Sequence, residues 1–170
     1  MNILEIDPGT YLGWALGIDG KPSYWGVQTF DLRRGESPGI RYLRLRGWLK
    51  DMAVNIEKLG FSLNLIVYEQ VHHRGGAATE IAYGMVTHIQ EWAAEIKAET
   101  ASVHSATLKK FATGSGRADK AAMIKAARDW IKSIYTKPCP SAQHHIIISD
   151  DNVADALMIL KMAIRDYKCV

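Results

Sequence analysis

The sequence predicts an α/β fold in which helices pack on a mixed sheet. Three observations lead there. Residues 3–30 hold three apolar runs joined by short turns bearing Gly or Pro. Residues 41–60 then switch to apolar positions recurring at three and four. Beyond them, apolar runs of strand length alternate with helical stripes.

Ile3 to Ile6 is apolar enough for a buried first strand. Gly13 to Ile18 reads as a second, the Asp19-Gly20-Lys21-Pro22 stretch as a turn, and Tyr24 to Phe30 as a third strand. Such short connections suit an antiparallel meander. Tyr42, Leu45, Leu49, Met52, Ile56 and Leu59 mark an amphipathic helix ended by Gly60. Leu63 to Tyr68 is continuously apolar, as in a central strand buried on both faces. A polar loop, His72-His73-Arg74-Gly75-Gly76, comes next. Thr79 is the expected N-cap of a helix whose stripe is Ile81, Met85, Ile89, Trp92 and Ile96. Ala101 to His104 is a short strand, and Lys109 to Gly116 a basic segment ending in a Gly-Ser-Gly loop. Ile124, Ala127, Ile131 and Ile134 mark a further helix, broken by Pro138 and Pro140. Val153, Leu157, Leu160, Ile164 and Tyr167 give the last helix its core stripe. The order β-β-β-α-β-α-β-α-α contains no repeat, and the Trp and Met residues on these stripes read as core.

A chain of 170 residues, 48% apolar, suits one domain spanning residues 1–170. No apolar run reaches the length of a membrane span. The first seven residues reach acids too soon for a signal peptide. Cys139 and Cys169 are too few for a disulfide framework and form no Cys-x-x-Cys pair, so both are expected reduced, in a cytoplasmic protein. The net charge of +3 is mild, but its distribution is not. Residues 104–137 carry eight basic side chains against Asp119 and Asp129. That density suits a face that tracks phosphates; a solvated helix surface is the plainer reading.

The acids stand out by position. Asp7 closes the first strand before a Pro-Gly turn, where α/β sheets bind ligands; an Asp opening a turn is equally compatible. Glu69 closes the buried run before it and must be exposed at the sheet end, paired, or metal-bound. Parallel pairing of the first and fourth strands would bring both acids to one edge. Asp150 and Asp151 begin the last helix, where one is expected to cap it. Asp155 lies a turn further on between Ala154 and Ala156, on the face shared by Asp151 at i, i+4 and flanked by Asn152. Carboxylates gathered from distant segments favour a hard dication, Mg²⁺ or Mn²⁺. Two such ions about 3.5–4 Å apart suit in-line phosphodiester cleavage.

These segments resemble a known family. Asp7-Pro8-Gly9-Thr10, Tyr68-Glu69-Gln70 and Ala154-Asp155-Ala156-Leu157, with the basic stretch from Leu108 to Lys120, look like the RuvC-type Holliday-junction resolvases. The resemblance runs in consistent order over residues 3–165. It implies a ribonuclease H-like fold, a mixed five-stranded sheet flanked by helices. It also implies a homodimer that cuts four-way DNA junctions by paired symmetric nicks, using two Mg²⁺ ions per active site, replaceable by Mn²⁺. Asp7, Glu69, Asp151 and Asp155 would then be catalytic metal ligands. The family's fourth ligand stands three residues before the last Asp, here Asn152, so Asp151 is the preferred candidate, then Asn152, then Asp150. Lys109, Lys110, Arg117 and Lys120 would contact DNA.

His72 and His73, with Arg74, stand where family members carry an aromatic wedge, so they join the DNA-binding candidates; silent loop residues are the alternative. Arg33, Arg34, Arg41, Arg44 and Arg46 form a second cluster that either touches a DNA arm or faces solvent. Gly114-Ser115-Gly116 lacks the ending of a nucleotide P-loop, and no nucleotide or membrane is expected as partner. An actin-like kinase would need a second domain. The remaining rivals are a broader flap or RNA–DNA hybrid nuclease and a non-catalytic junction binder. The host would be a bacterial or a virus-infected cell.

Overall fold

The computed structural model describes residues 1–71, 75–135, 148 and 150–167. His72, His73 and Arg74 lie outside the described residues, as do Cys139, Cys169, Pro138 and Pro140. The chain runs β1 (Ile3–Asp7), β2 (Tyr11–Ile18), β3 (Lys21–Thr29), α1 (Gly39–Lys58), β4 (Leu65–Glu69), α2 (Ala77–Glu95), β5 (Glu99–Val103), α3 (Ser105–Thr113), α4 (Lys120–Ile134) and α5 (Asp151–Asp166). The five strands lie in the order β3-β2-β1-β4-β5. β1, β2 and β3 form the expected antiparallel meander, whereas β4 runs parallel to both β1 and β5. Parallel neighbours cannot be joined by a hairpin, and α1 and α2 supply the crossovers.

Alternation along the strands divides the apolar residues between two cores. Leu4, Ile6, Ile66 and Tyr68 face α1 and α2, with Leu45, Leu49, Met85 and Ile89 packed on them. Ile3, Ala15, Leu65 and Val67 face the other way, toward α4 and α5. With neighbours on several sides, α5 buries Val153, Ala154, Leu157, Met158, Ile159 and Leu160.

The close approach of α5 depends on Gly13. A Cβ there would fall far inside contact with the Asn152 backbone. Gly13→Ala is therefore expected to cost ~1–3 kcal/mol by overpacking and to lower Tm by several degrees. Calorimetry checks this; an unchanged Tm would mean that the helix gives way easily.

Three expectations need correction. The basic segment from Lys109 is part of a helix, α3, which buries only Leu108 and so shows no apolar period. Its ends are set by polar chemistry: His104 Nδ1 accepts from the Ala106 N–H at 3.2 Å, and Gly114 closes it at φ 83°. Helix α2 starts at Ala77 behind Gly76, and the Thr79 hydroxyl donates back to the Gly75 carbonyl at 3.2 Å instead of capping. Tyr167, placed on the last core stripe, is the C-cap of α5 and is exposed. The arginine cluster is also partly structural. Arg41 is buried and donates from Nε to the Phe30 carbonyl at 3.0 Å; Arg44 donates to the Asp31 carbonyl at 2.6 Å and pairs with Glu36. Both fasten α1 to the segment after β3. Among the described residues, no helix is long and apolar enough to cross a membrane.

Candidate metal centre

Asp7 and Glu69 are the last residues of β1 and β4. Those strands are parallel neighbours paired up to Ile6 opposite Tyr68, so both acids emerge together at the carboxyl edge of the sheet. Both occupy odd positions, the side that faces α5. Gly13 lies opposite Asp7 on β2 and seats the start of α5 over the same edge. An open cleft of about 230 Å³ lies there, lined by Asp7, Pro8, Glu69, Gln70, Val71, Ala82 and Ser105.

The first turn of α5 separates the candidates for a fourth ligand. Asp150 is the N-cap: its Oδ1 accepts from the Asn152 and Val153 N–H groups at 2.8 and 3.4 Å. The Asn152 amide donates to that same oxygen at 2.9 Å, so both residues are occupied in holding the helix end. Asp151 instead forms an ion pair with Lys120 at the start of α4. One turn along, Asp155 has a buried Oδ1 with no hydrogen-bond partner among the described residues.

The acids feel one another strongly. Burial, then Glu69, Asp155 and Asp151, push the Asp7 carboxyl up to about 8. Asp155 is pushed up to about 6 by burial and Glu69, with Lys109 and Lys120 pulling the other way. Asp151 is held below the usual carboxylate range by its hydrogen bond to Lys120, and the Lys120 ammonium is raised by the same contact. Among the described residues, no three His, Cys, Asp or Glu side chains already surround one point as a finished metal cage. The Lys120 contact occupies Asp151. The donor set nevertheless fits a hard dication: it is all carboxylate oxygen, and the buried Asp155 Oδ1 has no hydrogen-bond donor among the described residues.

The sequence reading passed over one acid. Glu5 lies two residues before Asp7 on the same strand face, fully buried. The signal was present as an i, i+2 pair of acids in an otherwise apolar strand.

The structure brings two of the four basic residues predicted between Leu108 and Lys120 to the acids. Lys120 touches Asp151, and Lys109, on α3, acts electrostatically on Asp155. Lys110 and Arg117 are exposed. Elsewhere in the basic region, Arg128 donates to the Ile148 carbonyl at 2.7 Å and Lys125 pairs with Asp129, so part of that charge is structural.

No family model matches the chain, and no curated protein matches it in sequence. Solved structures do. The chain is similar to the Thermus thermophilus RuvC structure at a TM-score of 0.68 and 20% identity, covering 99% of this chain and 96% of that one. It is similar to T. thermophilus RuvC in complex with Holliday junction substrate at a TM-score of 0.70 and 18% identity, with the same coverage. The fold is ribonuclease H-like. At these identities the likeness speaks for the backbone. In this ribonuclease H-like frame, the acid edge lies at the carboxyl ends of β1 and β4, with α5 across it.

Proposed function

We propose that this chain is a metal-dependent endonuclease that resolves four-way DNA junctions by paired nicks, acting as a homodimer. The observation that carries the reading is the meeting of Asp7, Glu69 and Asp155 from three separate elements, all in one another's field. The backbone likeness to a RuvC solved with Holliday junction substrate supports DNA as the polymer.

Asp7, Glu69 and Asp155 would hold two Mg²⁺ or Mn²⁺ ions, with Asp151 joining once released from Lys120. Bound dications supply the acidity that makes water a nucleophile at neutral pH and the charge that stabilises a leaving alkoxide. The chain's own contribution is position and electrostatics. The strand ends fix two acids on a rigid sheet, and α5 carries the third over the same edge. The open cleft gives a phosphodiester backbone access to that edge. Lys109 and Lys120 place positive charge beside the acids, where a phosphate would otherwise be repelled. Lys120 can exchange Asp151 for a phosphate oxygen as DNA arrives. A two-fold dimer would set two such sites on opposite strands of a symmetric junction.

The test is a gel assay on labelled four-way junction, flap, duplex and RNA–DNA hybrid, with Mg²⁺, Mn²⁺ or chelator. Paired nicks in the junction alone, lost with chelator, are expected. Cutting of flaps or hybrid as readily would replace junction resolution with a broader nuclease activity. Tight junction binding without cutting in either metal would leave a binding module.

A further inference from the structure

Glu5 has no role in the reading above. It sits in the middle of β1 with 0% exposure, and among the described residues neither Oε1 nor Oε2 has a hydrogen-bond partner. A strand needs no such group: Leu4 and Ile6 on either side are ordinary core residues. An unpartnered buried carboxyl is among the more costly things a core can contain. Its surroundings narrow the explanation. Across the sheet Glu5 lies between Ala15 and Val67, neither of which can donate a side-chain hydrogen bond. The charges that act on it are Asp7, Glu69 and Asp155, all of its own sign. Helix α5 crosses this row of the sheet. Its backbone at Asn152 presses on Gly13, and Leu160 reaches Gly17, where an added Cβ would lie 3.0 Å from Leu160 Cδ1. The row of Glu5 and Ala15 falls between those contacts, beneath the stretch of α5 that carries Asp155 and the buried Ala156. The carboxyl therefore lies directly behind the acid edge, in the same column as Asp7.

We propose that Glu5 is a further member of the metal-binding set, and that a divalent cation gathered by Asp7, Glu69 and Asp155 is the partner its carboxylate lacks. The inference rests on the metal-centre reading above. Charge supports it. While Asp151 stays paired with Lys120, three acids face the charge of two dications, and Glu5 adds to them. It also accounts for a buried acid that has no hydrogen-bond partner among the described residues.

The experiment is Mn²⁺ titration by calorimetry, with Tm measured in chelator and in Mg²⁺, on wild type, Asp7→Asn and Glu5→Gln. Glu5→Gln keeps the shape and removes the charge. It is expected to bind Mn²⁺ about 10–100-fold more weakly and to lose most of the Mg²⁺-dependent rise in Tm. Its Tm in chelator should equal or exceed that of wild type. Wild-type Mn²⁺ affinity in Glu5→Gln, with affinity lost in Asp7→Asn, would overturn the role of Glu5 and leave the metal centre standing. Absence of Mn²⁺ binding by wild type itself would overturn both. A purely structural Glu5 would shift only the Tm in chelator. Should Glu5→Gln fail to fold, Glu5→Leu, which suits the apolar neighbours, takes its place in the same titration.

Discussion

Asp155→Asn is expected to lower metal-dependent junction cleavage by about a thousandfold or more while leaving junction binding intact. Asp155 contributes a carboxylate with a buried oxygen that has no hydrogen-bond partner among the described residues. The amide keeps the volume and loses the charge. A lost metal ligand removes several kcal/mol of transition-state stabilisation, and each ~1.4 kcal/mol is a factor of ten in rate. Binding to the phosphate backbone should persist, because Lys109 and Lys120 are untouched and one repelling charge is gone. Single-turnover cleavage beside a gel-shift titration checks both halves. Cleavage within tenfold of wild type would remove Asp155 from the metal centre. Joint loss of binding and cleavage would point to a disturbed α5, to be verified by circular dichroism.

The second expected result is a pH dependence of stability that metal reverses. Asp7 is pushed up to about 8 in the folded chain from 3.8 for the free side chain, and Asp155 to about 6. Between those limits the folded state holds more protons than the unfolded one. Stability from these groups is thus fully present below about pH 4 and is lost as pH rises through 6 and then 8. Asp151 works the other way, because its Lys120 contact depresses it, but it is half-exposed and its effect falls at lower pH. In chelator, Tm is therefore expected to fall between pH 5 and 9, by an amount on the order of several kcal/mol of stability at most. Mg²⁺ binds the ionised acids and should offset the decline. At a hundred times its Kd, one ion adds ~2.7 kcal/mol, or roughly 5–10 °C for a chain of this size. Metal affinity should rise with pH over the same window. Scanning calorimetry across pH, with and without Mg²⁺, checks the sign. A flat profile in chelator would mean that the acids do not share a buried field.

The main elements and the three central acids were legible in the chain. Asp7 and Glu69 stood out because each ends an apolar run, and an acid at that position has few roles. Asp155 stood out because it interrupts a helix between two alanines. Helix α3 was not legible, because a helix that buries only Leu108 has no apolar period to read. The roles of Arg41 and Arg44 were hidden for a different reason. Their partners are backbone carbonyls of Phe30 and Asp31 and the carboxylate of Glu36, and main-chain acceptors leave no mark in a sequence.

By itself, then, the sequence determined the strands and the four helices with an apolar stripe, because periodicity and turn chemistry are local, and which acids end up at element boundaries. Only the tertiary structure decided what those acids meet. Parallel pairing of β1 with β4 put Asp7 beside Glu69, and the missing side chain at Gly13 let α5 bring Asp155 over them. It assigned Asp150 to the helix cap and Asp151 to Lys120, a choice among neighbours that spacing leaves open. It also turned Glu5, one more acid in an apolar strand, into a fully buried carboxyl behind the candidate centre. Burial and charge proximity belong to several segments at once, so they exist only when the chain has folded.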